Sequence, residues 1–185
     1  QKMAVLCQND TSMSDITVKT LVEYGRYAHK KWWAGSDSDD KSIVEWAIER
    51  TGMTKLQNRK INALSGGERQ RARIAMAIAQ KPEIMLLDEP TTYLDIAHQL
   101  EIMELVAALN REEGITVVMV LHDMNHAARY SDGLVLVNNS KIHTIGTPNE
   151  LIENGELENV FCVEAEILSD TEDDSPIFYA KRKKQ

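Results

Sequence analysis

The sequence has no apolar stretch near the ~18 residues that a helix needs to cross a bilayer. Its longest apolar run, residues 115–121, is strand-sized. The opening residues, 1–6, are too short in their apolar part for a signal peptide and show no cleavage site. Cysteine is scarce: Cys7 and Cys162 stand far apart in unrelated surroundings, which argues against a disulfide framework and suits a reducing cytosol. Basic charge is in deficit. Lys and Arg number 21 against 29 Asp and Glu, a formal net charge of −8, which argues against a dedicated nucleic-acid binder. The basic run at 181–184 is the exception and reads as a solvated chain end.

What is present suits one well-buried domain: 185 residues, 43% hydrophobic and 27% charged. A short apolar run at 3–6 looks like the end of a buried strand. Residues 17–27 carry Val18, Leu21, Val22 and Tyr24 mostly at helical spacing. A polar break at 35–40 offers Asp39 or Asp40 as the cap of a second helix over 41–51, with Ile43, Ala47 and Ile48 on one side. Gly52 would end it.

The pattern then becomes α/β. Residues 84–87 and 116–121 are continuous apolar runs, as expected of strands buried on both faces. Between them a long helix over 96–113 places Ile96, Leu100, Met103, Val106 and Leu109 on one stripe, closed by Gly114. This order predicts a parallel strand pair joined by a crossover helix. From Leu134 onward, 134–137 and 141–145 read as a hairpin, 148–152 as a short helix started by proline, and 164–169 with 177–181 as two more strands.

The sharpest local feature is Leu64-Ser65-Gly66-Gly67-Glu68 at the start of a helix. Two glycines there let backbone N–H groups approach a ligand with no Cβ in the way, and the helix start favours an anion. Ser65 adds a hydroxyl donor. Downstream, the strand at 84–87 delivers the adjacent carboxylates Asp88 and Glu89, at the usual ligand edge of an α/β sheet. In nucleoside-triphosphate hydrolases one such carboxylate holds Mg²⁺ and a second polarises the attacking water. Leu94-Asp95 follows, and His122-Asp123 ends the next strand. A histidine at that edge can act as donor or proton-sensitive switch.

Together these residues resemble the ABC ATPase family along essentially the whole chain. Residues 64–68 match the family signature, with Glu68 where glutamine is commoner. Residues 84–89 look like its Walker B strand, Leu94-Asp95 its D-loop, His122 its switch histidine and Gln8 its Q-loop glutamine. Between Gln8 and Leu64, Leu21-Val22, Gly25-Arg26-Tyr27-Ala28-His29, the acidic break and Thr51-Gly52-Met53 look like importers of iron-siderophores, haem or cobalamin, and Thr91-Thr92-Tyr93-Leu94-Asp95 also resembles that group.

The resemblance implies a P-loop NTPase-like ABC core with a parallel central sheet and an inserted α-helical subdomain. Residues 1–9 would end the Q-loop strand, 10–80 form the helical subdomain with the signature, 81–150 run from Walker B to the switch histidine, and 151–185 supply C-terminal strands. It implies ATP and Mg²⁺ as ligands. Glu89 would be the general base, Asp88 the magnesium carboxylate and Gln8 a magnesium and water sensor. Ser65, Gly66, Gly67 and Glu68 would bind the ATP of a second subunit, with Ser65 and Gly67 on its γ-phosphate, His122 would hold the γ-phosphate, and Asp95 would link the two sites. The implied partners are a second copy, a membrane permease and, indirectly, a substrate-binding protein, at the cytoplasmic face of the membrane.

The departure from the family is the phosphate-binding loop. None of the nine glycines precedes a lysine, so no Gly-x-x-x-x-Gly-Lys-Ser/Thr occurs in these residues. The simplest expectation is that the N-terminal part of the fold is missing. Two other readings stay open: a soluble ABC ATPase acting on ribosomes or DNA, which would show a basic face or a second ATPase domain, and a catalytically inactive fragment.

Overall fold

A computed structural model describes residues 2–7, 15–27, 38–169 and 176–181. Gln8, Trp32 and Trp33 lie outside the described residues. The chain divides into two compact units, residues 1–120 and 121–185.

In the first unit a three-stranded parallel sheet has the order β1-β2-β3, with β1 at Met3–Leu6, β2 at Ile84–Asp88 and β3 at Thr116–Val120. Its register pairs Ala4 with Met85 and Met85 with Val117, which puts these three on one face. That face is the core side, where Ala4, Leu6, Met85 and Leu87 are buried. The opposite face departs from the expectation of two-sided burial. Met3, Val5, Val118 and Val120 are exposed, Val118 by 53%. A continuous apolar run encodes two apolar faces, and the described residues of this unit cover only one of them.

Three helices form a layer on the core side: α1 (Val18–Tyr24), α2 (Ser38–Arg50) and α3 (Gly66–Ala79). Thr17 caps α1, its hydroxyl accepting from Thr20 N–H. Asp39 and Asp40 stand inside the first turn of α2 rather than ahead of it. Negative charge there complements the helix dipole, and Asp40 also accepts from the Arg26 guanidinium at 2.7 Å. α3 reaches both layers, packing on α1, α2 and β1. Its small residues Ala72, Ala75, Ala77 and Ala79 are fully buried, which allows close approach on several sides.

α4 spans Ile96–Glu113, as the periodicity predicts, and Gly114 ends it at φ 67°. Its buried stripe is Ile102, Met103, Val106 and Leu109. Ile96 and Leu100, expected on that stripe, are exposed. The buried stripe starts at Ile102, while in the first turn His98 packs on Gly67 at the start of α3.

The second unit holds α5 (Met124–Tyr130), the hairpin β4 (Leu134–Asn138) and β5 (Lys141–Gly146), α6 (Pro148–Glu153), α7 (Glu156–Phe161) and the antiparallel pair β6 (Glu164–Ser169) and β7 (Pro176–Lys181). Asn139 and Ser140 both take positive φ, the geometry that matches a two-residue turn to strand twist. A small core of Leu136, Leu151, Leu157 and Phe178 holds the unit together. Asn125 clamps Phe178 from α5, its Oδ1 accepting the Phe178 N–H at 2.7 Å. No helix among the described residues is long and apolar enough to cross a membrane.

Candidate functional site

β2 ends on Asp88, whose side chain is exposed. Glu89 follows with φ 48°. A left-handed backbone costs a residue with a Cβ about 1 kcal/mol, and such strain gathers where a side chain must be aimed. The aim is set by Thr92, whose hydroxyl donates to Glu89 Oε2 at 2.9 Å, while the Thr92 N–H donates to the Glu89 carbonyl. Tyr93, also at positive φ, projects into solvent. The loop closes at Asp95, the N-cap of α4.

The signature residues open α3. Ser65 is its N-cap and forms a capping box with Glu68: Ser65 Oγ accepts from Glu68 N–H at 3.2 Å, and Glu68 Oε2 accepts from Ser65 N–H at 2.8 Å. The Ser-x-x-Glu pattern was legible in the sequence, yet reasoning from the glycines alone passed over it. A hydroxyl has two lone pairs and one proton, so Ser65 can cap the helix and still donate to a ligand.

The Ser65 N–H holds the Glu68 carboxyl below the ordinary carboxylate range; desolvation opposes it, and the Ser65 hydroxyl, Arg59 and Arg71 reinforce it. A lowered folded value means that this stabilisation is full above the ordinary range and is lost as pH falls through the lowered value. Denaturation titrations should therefore show stability that falls as pH drops below the ordinary carboxylate range, a fall that flattens in Glu68→Gln. Ser65→Ala should cost about 1 kcal/mol at neutral pH by the same measurement.

The glycines serve a second purpose that spacing does not reveal. A Cβ on Gly66 would lie 3.1 Å from Leu94 Cδ2, and one on Gly67 would lie 2.4 Å from His98 Cδ2. The D-loop segment thus packs directly on the signature glycines. Asp95 Oδ1 accepts from His98 N–H at 2.9 Å and meets His98 Nδ1 at 2.7 Å. The His98 N–H is the main reason that the Asp95 carboxyl is held below the ordinary range. His98 was not among the residues singled out from the sequence.

Arg73 of α3 donates to the carbonyl of Cys7, at the end of β1 and next to Gln8 in the chain. His122, two residues past β3, is exposed and belongs to the second unit. Asp123 beside it caps α5, its Oδ1 accepting from Asn125 and His126 N–H groups. The structure thus brings the signature and the D-loop together, and it places Asp88 and Glu89 at the head of the same loop that carries Asp95.

Comparison with known proteins gives a consistent picture. The family model described as ABC transporter matches residues 1–92. The chain is 46% identical over 175 residues to the iron(3+)-hydroxamate import ATP-binding protein FhuC of Bacillus subtilis, covering 95% of this chain and 65% of that protein. It is 45% identical over 182 residues to the petrobactin import ATP-binding protein FpuC of Bacillus anthracis, covering 98% of this chain and 66% of the relative. The chain therefore spans just under two thirds of the length of these curated relatives. Among solved structures, one of a metal-chelate type ABC transporter in an inward-facing conformation superposes with a TM-score of 0.89 at 28% identity, over 99% of this chain and 73% of that one.

Proposed function

This chain belongs to the ABC transporter family of ATP-binding proteins, and on that premise we propose that it serves an ATP-hydrolysing subunit that powers import of iron-siderophore complexes. The observation that carries the reading is one short stretch of chain. A core strand delivers Asp88 and Glu89, and six residues after Glu89 Asp95 caps a helix whose first turn packs on the signature glycines. Similarity to two ATP-binding proteins named for iron(3+)-hydroxamate import and petrobactin import supports the cargo class.

Glu89 is the general base in this reading. Thr92 fixes its carboxylate, which then takes a proton from the attacking water. Asp88 supplies an exposed hard-oxygen ligand at a strand end, which fits Mg²⁺, an ion bound through one or two carboxylates together with substrate phosphates. When bound, Mg²⁺ neutralises charge on the phosphates. Ser65, Gly66, Gly67 and Glu68 present a helix N-terminus to the γ-phosphate of a second copy's ATP, and Asp95 links the two sites. Gln8 senses the metal and water, and His122 donates to the γ-phosphate. The nucleotide also needs a phosphate-binding loop, which these 185 residues do not contain.

Force reaches the cargo through a separate permease at the cytoplasmic face of the membrane, with a substrate-binding protein acting on the far side. The Gln8 loop with the helical segment 10–62 is the contact we assign to the permease. Tyr27 is exposed there, with its ring 5.3 Å from that of Tyr24, and aromatics of this kind are enriched in interface cores. The test assembles this chain preceded by an added phosphate-binding-loop segment (the P-loop-bearing form) with an iron-siderophore permease in liposomes. ATP hydrolysis should rise when an iron-loaded siderophore and its binding protein are added. Tyr27→Ala should reduce co-purification with the permease and leave nucleotide affinity unchanged. No stimulation by any iron-siderophore would overturn the cargo assignment.

A further inference from the structure

One imidazole stands between two motifs of the nucleotide site. The His98 ring carries Nδ1 and Cδ2 on opposite sides of Cγ. Nδ1 meets Asp95 Oδ1 at 2.7 Å, while Cδ2 occupies the space that a Cβ on Gly67 would need, 2.4 Å from where that atom would sit. A rotation that eases one contact therefore breaks the other.

Neighbouring contacts hold the same two segments together. Leu94 packs on Gly66, and Arg71 of α3 reaches Glu101 of α4 at 2.6 Å; within the second segment, Gln99 Nε2 donates to the Leu94 carbonyl at 2.9 Å. Leu94 and the Arg71–Glu101 pair join the segments but do not touch the Asp95 carboxylate. Only His98, among the contacts described, touches both that carboxylate and a signature glycine.

We propose that His98 is a positioning residue that ties the D-loop carboxylate of Asp95 to the signature glycine Gly67, so that a ligand engaging one motif is felt at the other. The activity readout rests on the ATPase reading given above; the structural readout does not. The coupling also explains why Gly67 bears no side chain. A methyl group there would push the ring off Asp95 even if no ligand approached the glycine.

The structural test is a double-mutant cycle read by NMR on the intact, isotopically labelled protein. Asp95→Asn should shift the Gly67 amide resonance, and the same substitution in a His98→Leu background should leave it in place. A direct electrostatic effect of Asp95 would persist in both backgrounds, so equal shifts, or no shift in the parent, would overturn the proposal. The activity test uses the P-loop-bearing form. His98→Leu keeps a branch at Cγ but loses the donor, and should lower kcat about tenfold or more, as displaced catalytic geometry does, with KM for ATP within about twofold of the parent. His98→Asn keeps a planar fork with an N–H donor and should restore most of the rate. Equal rates for the Leu and Asn variants would reduce His98 to a space filler and overturn the proposal. A parent that hydrolyses no ATP would sink the ATPase reading, and the resonance cycle would still decide this one.

Discussion

Replacing Glu89 with glutamine should remove nearly all Mg-ATP turnover from the P-loop-bearing form while sparing nucleotide binding. Glutamine has the same size and keeps an oxygen that accepts the Thr92 hydroxyl, so the loop into Asp95 should hold its shape. It cannot take a proton from water. Loss of a positioned general base lowers rates by about 10²–10⁴-fold. The fall should appear in kcat, with the dissociation constant for ATP within a few-fold of the parent. Thr92→Val, which leaves the base but removes its anchor, should show a smaller loss of the same kind. Parent-level turnover in Glu89→Gln would remove Glu89 from the chemistry.

The largest effect on stability should come from Gly25→Ala. Gly25 follows α1 and lies against α3, with ordinary right-handed backbone angles, so alanine meets no conformational objection there. Space is the obstacle. A Cβ would lie 2.3 Å from the carbonyl oxygen of Met76, a backbone atom that no rotamer change can move aside. The chain on either side is pinned as well. Arg26, only 8% exposed, donates to the Ala79 carbonyl at 2.7 Å and to Asp40 at 2.7 Å. Overpacking typically costs about 1–3 kcal/mol, and the upper end applies where neither helix can retreat. For a protein of this size about 3 kcal/mol lowers Tm by roughly 6–12 °C. A drop of less than about 2 °C would mean that α1 and α3 are not in contact at this point.

Much of the first unit was legible because its signals are long. α4 carries five turns bounded by an Asp cap and a left-handed glycine, and the runs at β2 and β3 are unbroken. Short elements were less readable. α5 and α7 have only seven and six residues, too few for a period of 3.6 to stand out; Asp123 caps α5, while α7 starts at Gly155 with no side-chain cap. The hairpin at β4 and β5 and the proline start of α6 were plain, since turn chemistry is local.

At the site, residue types were legible and contacts were not. Ser65, Asp88, Glu89 and Asp95 announce themselves by spacing. The packing of His98 on Gly67 joins residues far apart in the chain, so only the folded backbone displays it. Ile96 and Leu100 misled for the same reason: a helical stripe says which residues share a face, but not where along the helix the neighbour begins.

In the proposed reading these residues supply the signature, Walker B and D-loop portion of an ABC ATPase, and they hold no phosphate-binding loop. The most direct measurement is steady-state Mg-ATP hydrolysis by the 185-residue chain beside the same chain preceded by a P-loop segment. The account predicts no turnover from the first. From the second it predicts turnover whose specific rate rises with protein concentration, because each site needs two copies. Turnover by the 185-residue chain alone, or none from the P-loop-bearing form at any concentration, would contradict it.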